Sequence, residues 1–353
     1  MLTKPRYSPL DVLMWTRWDL LLFLVYSAGL VAAFDLAGFD FLQLPWAPVA
    51  VAGTAVAFII GFQNNAAYGR IWEARKIWGG VVNESRSWAM KVTDMVSNKH
   101  AEVPASEDEL AEERRILVYR HVAWLTALRY GMRQGRPWEN TQQQRTNREW
   151  ARRIYVPEVE STLEEDLKGY LSEEERAHVL SKGNKATAIL FLQSKHIREL
   201  MEKGFIWEFA FLQLENLLQE LFTLQGKSER IKNFPYPRQY ATLSYQFVYI
   251  FAFLLPFAAI PEFAATGKEL GETWAYADRI FVWLAVPFCA VISWIFHTME
   301  RIGRVGENPF EGTVNDVPIS TISRGIEIDI RQMLGEEKDE IPKPFPERYH
   351  IQM

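Results

Sequence analysis

The sequence predicts an all-α membrane protein with four transmembrane helices and a large cytoplasmic helical domain. Apolar residues are bunched in four runs free of charge, and a long insert dense in both charge signs repeats its apolar residues at helical spacing. That insert shows no long β-alternation. The 353 residues carry a formal net charge of −5, which excludes nucleic-acid binding driven by bulk positive charge. An apolar content of 48% would suit a soluble enzyme if it were evenly spread. Cys289 is the single cysteine, so there is no disulfide framework and no cysteine-based zinc site. The opening MLTKPRYSPLDVLMWTRW has Pro and Asp where a cleavable signal needs an apolar run.

A span needs roughly 20 apolar residues to cross about 30 Å. The first candidate is uncharged from Leu20 to Phe34, the second from Phe41 to Gly69, the third from Ala241 to Pro261 and the fourth from Ile280 to Phe296. Trp18, Trp46, Trp274 and Trp294 lie near span ends, where amphipathic rings anchor. Lys4, Arg6 and Arg17 precede the first span, Arg301 and Arg304 follow the fourth, and the first short link has neither Lys nor Arg. This asymmetry predicts both termini and the insert on the cytoplasmic side of the cell (inner) membrane.

The insert, residues 70–240, reads as helices. Ser106-x-x-Glu109 and Ser172-x-x-Glu175 are capping boxes, and the first opens EDELAEERRILVYRHVAWLTALRYGMR. An amphipathic run from Glu173 through Lys203 is punctuated by Gly204, and 205–225 is a further helix. Residues 133–150 read as a polar loop with a helix start, and the Pro-broken tail as disordered or as an arm lying on a neighbour. The predicted segments are 1–17, a cytoplasmic N-terminal piece; 18–66, spans one and two; 67–240, the helical domain; 241–300, spans three and four; 301–335, a cytoplasmic helix region; and 336–353, a polar tail.

The stretch AFIIGFQNNAAYGRIWEARKIWGG, residues 57–80, runs from lipid-like into water-like sequence without a Pro to stop it. Pro45 and Pro48 predict a helix start near residue 47, an exit from the membrane around 62–66, and continuation to about Lys91. Thr54, Phe58 and Phe62 recur every four residues on one face, beside a stripe of Gly53, Ala57 and Gly61. A ring of such helices could pack small stripes against neighbours and turn bulky ones inward as an apolar throat. On the pattern alone, the ordinary reading of the two Phe is as lipid-facing or core residues. Gln63, Asn64 and Asn65, just below, suit a wet vestibule, helix-end caps or the membrane surface.

GFQNNAAYGRIWEARKIWGG resembles the segment after the second span of the bestrophin family, whose bacterial members typically show GFRNN-x-x-Y-x-R-x-W-E-A-R-K-x-W-G. Tyr68, Arg70, Trp72, Glu73 and Arg75 carry that match. ENPFEGTVNDVPISTISRGIEIDIR resembles the family's N-P-F-G…N-D-L-P stretch through Asn308, Pro309, Phe310, Asn315 and Asp316. NFPYPRQYATLSYQFVYIFAFLLPF is similar to the start of the family's third span, so the resemblance covers about residues 15–335. It implies a homopentamer around one axial pore, passing small monovalent ions through a hydrophobic neck lined by the second span. By position the neck is Thr54, Phe58 and Phe62, with Gln63, Asn64 and Asn65 below it. A second, cytoplasmic constriction would fall on Phe209, Ala210 or Phe211. Many relatives have Ile where Thr54 stands and Arg where Gln63 stands.

Animal members of that family hold calcium with acidic residues after N-P-F. Only Asp316 of such a run remains here, so the reading is no regulatory calcium, no metal and no cofactor, with Asn308, Asn315 and Asp316 as structural hydrogen-bonders. Both anion- and cation-selective members exist; Phe ring edges facing an axis would favour anions and ring faces cations, and the sequence does not fix the ring orientation. The expected function is a chloride-like anion channel, with a sodium channel of the same fold as alternative. A membrane scaffold or enzyme with a helical partner-binding domain is the reading from another class. No Walker, zincin or nucleophile-elbow motif supports an enzyme. Glu73 stands at helical spacing from Arg70 and Lys76, so ion pairs on the helix surface or between subunits are expected there.

Overall fold

The computed structural model describes residues 1–39, 41, 43–139, 144–272 and 274–353. It has twelve helices among the described residues: α1 (Pro9–Asp35), α2 (Trp46–Met95), α3 (Glu107–Arg133), α4 (Arg145–Ala151), α5 (Pro157–Glu160), α6 (Leu163–Leu167), α7 (Glu173–Leu180), α8 (Lys185–Glu202), α9 (Glu208–Asn233), α10 (Arg238–Gly271), α11 (Ala277–Val305) and α12 (Ile319–Met333). Four of them, α1, α2, α10 and α11, are long and apolar enough to cross a membrane. They coincide with the four expected spans. The predicted loop at 133–150 is helical from Arg145 on, while its residues 140–143 lie outside the described residues.

The chain divides into two compact units. One comprises residues 4–70 and 235–307, the other 1–3, 71–234 and 308–353. The boundary falls inside α2, a 50-residue helix about 75 Å long at 1.5 Å per residue.

In the unit of 4–70 and 235–307, α11 packs against both α10 and α1. Ser8 caps α1 with a complete capping box to Asp11 and Pro9 follows as the first helical residue, so helix begins well inside the stretch expected to precede the first span. Thr16 bonds back to the Val12 carbonyl and accepts the Trp294 indole N–H at 2.8 Å. Arg301 pairs with Asp19 at 2.7 Å and lies over the Trp15 ring. Such polar pairs tie apolar helices together where lipid provides no hydrophobic drive.

The other unit has an ordinary water-type core. Trp78, Trp88 and Trp124 are fully buried at its centre among leucines of α3, α8 and α9. The Trp88 indole donates to the Leu117 carbonyl and that of Trp124 to Gln225, so neither buried N–H is orphaned. His121 stacks on the Trp88 indole and lies tilted against that of Trp124, and burial pushes its pKa down to about 3. Both expected capping boxes form, at Ser106 and Ser172. The expected run from Glu173 through Lys203 is two helices, α7 and α8, because Asn184 caps a fresh start by accepting the Thr187 N–H. The polar tail folds on its own chain. Ile351 and Met353 are buried with Ile154 and Val156, Leu2 bridges to Ile351, and Thr321 donates twice to the Met353 carbonyl.

Gly204 ends α8 with φ +77°, and a Cβ there would lie 2.6 Å from the His100 carbonyl oxygen and 2.8 Å from the Ala101 Cα. Both obstacles are backbone and cannot swing aside. We expect Gly204→Ala to lower stability by about 2 kcal/mol or more, read as a lower thermal midpoint of the detergent-solubilised protein.

Candidate functional site

The rotation of α2 about its axis decides which residues can line anything. Val49, Gly53, Val56, Ile60, Gln63 and Ala67 are buried, at alternating steps of four and three. This is a coiled-coil-like seam. It packs on Val248, Phe251, Leu255, Ala258 and Ala259 of α10 and on Cys289 of α11. At its centre the Phe251 ring lies on Gly53, where a Cβ would come within 2.7 Å of ring carbon Cε2. Gly53 is thus consumed inside the chain, while Ala57 and Gly61 of the same small stripe stay exposed.

That seam turns the bulky stripe outward. Phe58 is 66% exposed and Phe62 73%. Thr54 is exposed as well, and its hydroxyl donates to the Ala50 carbonyl at 3.0 Å. The expected neck residues therefore lie on one free face of one helix.

The amides below do not share that face. Only Asn65 is exposed. Gln63 is 1% exposed and donates to Glu307 Oε1 at 3.4 Å. Asn64 lies against α11, its Oδ1 2.6 Å from where a Cβ on Gly303 would stand. Position 63 belongs to the buried heptad seam, which is why it faces inward rather than toward a vestibule. Arg70, two turns on, donates from Nε to the Glu307 carbonyl at 2.7 Å. Arg238 at the start of α10 stands 3.8 Å from Glu307 Oε2. Sequence reasoning assigned no role to Glu307, Gly303 or Phe251, since nothing local in the sequence couples positions 63 and 307.

In the other unit, Tyr68's neighbours along the motif diverge. Trp72 and Arg75 are exposed, and Tyr68 itself is exposed in the first unit. Glu73 pairs with Arg230 of α9, not with Arg70 or Lys76 as expected, because it points at the helix packed beside it. Of the three constriction candidates, Phe209 is 65% exposed, Phe211 is half-buried against the core and Ala210 is fully enclosed in it. Pro309 and Phe310 are buried, with Phe310 against Trp78, and Asn308 donates to Glu311 at 3.1 Å. Asp316 accepts from the backbone N–H groups of Gly312 and Thr313 at 2.7 and 3.0 Å and from the Thr313 hydroxyl. Asn315 is exposed. Among the described residues, no group of three or more His, Cys, Asp or Glu could hold a metal ion.

The sequence matches the family profile described as Bacterial/Fungal Bestrophin protein over residues 11–332. The chain belongs to the bestrophin family. It is 28% identical over 320 residues to the voltage-dependent anion channel-forming protein YneE of Escherichia coli O157:H7, covering 87% of this chain and 86% of that one. It is 26% identical to the voltage-dependent anion channel-forming protein RSc3414 of Ralstonia nicotianae, covering 89% and 86%. A solved bacterial bestrophin homologue from Klebsiella pneumoniae superposes with a TM-score of 0.68 at 24% identity, covering 91% of this chain and 98% of that one. As a bestrophin, the chain has its family motif split between roles: Arg70 ties α2 to Glu307, and Asn308–Asp316 builds a closed structural loop.

The contact between Asn64 and Gly303 gives a test of this arrangement. Gly303→Ala should lower the thermal midpoint of the purified protein. Adding Asn64→Ala should restore it, with a coupling of about 1 kcal/mol in the double-mutant cycle.

Proposed function

We propose that this bestrophin is a homopentameric ion channel of the bacterial inner membrane, with both termini cytoplasmic and α2 of each copy lining one axial pore. The carrying observation is the outward stripe of Thr54, Phe58 and Phe62, which the seam leaves exposed among the described residues. Beside it lies a strip of small side chains, Ala57 and Gly61, shallow enough for a neighbouring α2 to approach. Five such stripes turned inward make a dry neck, which stops ions by excluding water until it widens. Exposed Asn65 sits one turn beyond Phe62 and places an amide at the end of that neck.

Phe209, exposed at the start of α9, is the candidate for the second constriction. The remaining unit, with its water-type core, serves as the cytoplasmic domain. Small monovalent anions of the chloride class are the proposed cargo. The names of the Escherichia and Ralstonia relatives support anions. Lipid surrounds the outer helices, and neither a cofactor nor calcium enters the mechanism. Asp316 is already engaged by its own loop.

Phe58→Ala and Phe62→Ala in liposomes should each raise ion flux on the order of tenfold, equivalent to about 1.4 kcal/mol off the barrier. Unchanged flux in both removes α2 from the pore. Reversal potentials of the purified protein under a NaCl gradient should lie on the chloride side. Reversal on the sodium side would assign the channel to cations.

A further inference from the structure

The two opposed stripes of α2 continue beyond its apolar half. Buried positions recur at Ala74, Ile77, Val81, Ser85, Trp88 and Val92. A helix with one side in a core shows the opposite side to its surroundings. After Phe62 that opposite side is Asn65, Gly69, Trp72, Lys76, Gly79 and Asn83, all exposed and again in alternating steps of three and four. Such steps drift by about 20° per seven residues on a straight helix. Lys76, two heptads past Phe62, therefore lies about 21 Å further along α2 and about 40° around it.

From Thr54 to Asn83 this stripe carries one charge, that of Lys76. The charged groups nearest to it along the helix are engaged elsewhere: Glu73 pairs with Arg230, and Arg86 donates to Asp329 at 2.9 Å. Lys76 itself enters no ion pair among the described residues. A dry aromatic ring resists ions of both signs, so a preference for one sign has to come from charge placed near it. We propose that Lys76 is a specificity-determining residue of the conduction path: its five copies form a ring of ammonium groups on the cytoplasmic side of the neck, which concentrates small anions there and repels small cations. This rests on α2 lining the pore. An ammonium is a compact, strongly hydrated charge on a flexible stem, suited to attracting hydrated anions without holding them. The field of the ring reaches the neck only where screening is weak. The screening length is about 30 Å at 0.01 M salt and about 3 Å at 1 M, on either side of the 21 Å or so between Lys76 and Phe62.

The test is the chloride-to-sodium permeability ratio of the purified protein in planar bilayers, from reversal potentials under NaCl gradients. Lys76→Gln should lower that ratio on the order of threefold at low salt and leave it nearly unchanged near 1 M. Lys76→Glu should lower it further, and Lys76→Arg should keep the wild-type value. Cys289 is fully buried, so the wild type is the control for thiol reagents. In Lys76→Cys, a positively charged methanethiosulfonate added from the cytoplasmic side should restore the chloride preference, and a negatively charged one should depress it. A purely structural role would not follow the sign of the reagent. An unchanged ratio in both Lys76→Gln and Lys76→Glu, or the same response to both reagents, overturns the proposal. If Phe58→Ala and Phe62→Ala raise flux while the ratio ignores the charge at position 76, the ring is wrong and the channel stands. If neither Phe variant changes flux, both readings fall together.

Discussion

One interface fixes the orientation of α2 within the spanning unit: the seam of Val49, Gly53, Val56, Ile60, Gln63 and Ala67 against α10 and α11. Lipid is as apolar as these side chains, so hydrophobicity alone does not hold the seam together. Shape does. Phe251 fits over Gly53 because no side chain stands there, and Asn64 fits over Gly303 for the same reason. A rotation of α2 by one position would bring the Cβ of Ala52 or Thr54 under the Phe251 ring and move Asn64 off Gly303. The direction of Phe58 and Phe62 is the geometrical consequence of that fit.

Polar groups sit where α2 passes from apolar to charged sequence. Gln63, Asn64, Arg70, Arg238 and Glu307 form a small network at the end of the spanning unit. Glu307 is buried and its carboxylate is balanced by Arg238 at 3.8 Å and by the Gln63 amide.

The other unit supplies rigidity by ordinary means. Three buried indoles, two of them hydrogen-bonded, and a neutral His121 form a core that tolerates little rearrangement. The loop of Asn308–Asp316 and the chain's two ends are fastened to it by backbone hydrogen bonds and by the buried Ile351 and Met353. The N-P-F motif is in this bestrophin a structural knot, with Asp316 spent on holding its own turn.

The sequence alone determined the four spans, the helical character of the rest and several helix starts, including those at Ser106 and Ser172. Each of these is written within a few residues: an uncharged run long enough for a bilayer, or a Ser three positions before a Glu. It also placed Thr54, Phe58 and Phe62 on one face, since helical period needs no partner to be known. The outward turn of that face, the inward turn of Gln63 and the enclosure of Ala210 were decided by tertiary structure. So were the pairing of Glu73 with Arg230, 157 positions away, and the tail's return to its own chain. Such outcomes depend on where distant segments meet, and a helix carries its whole circumference in its sequence without saying which side will find a partner.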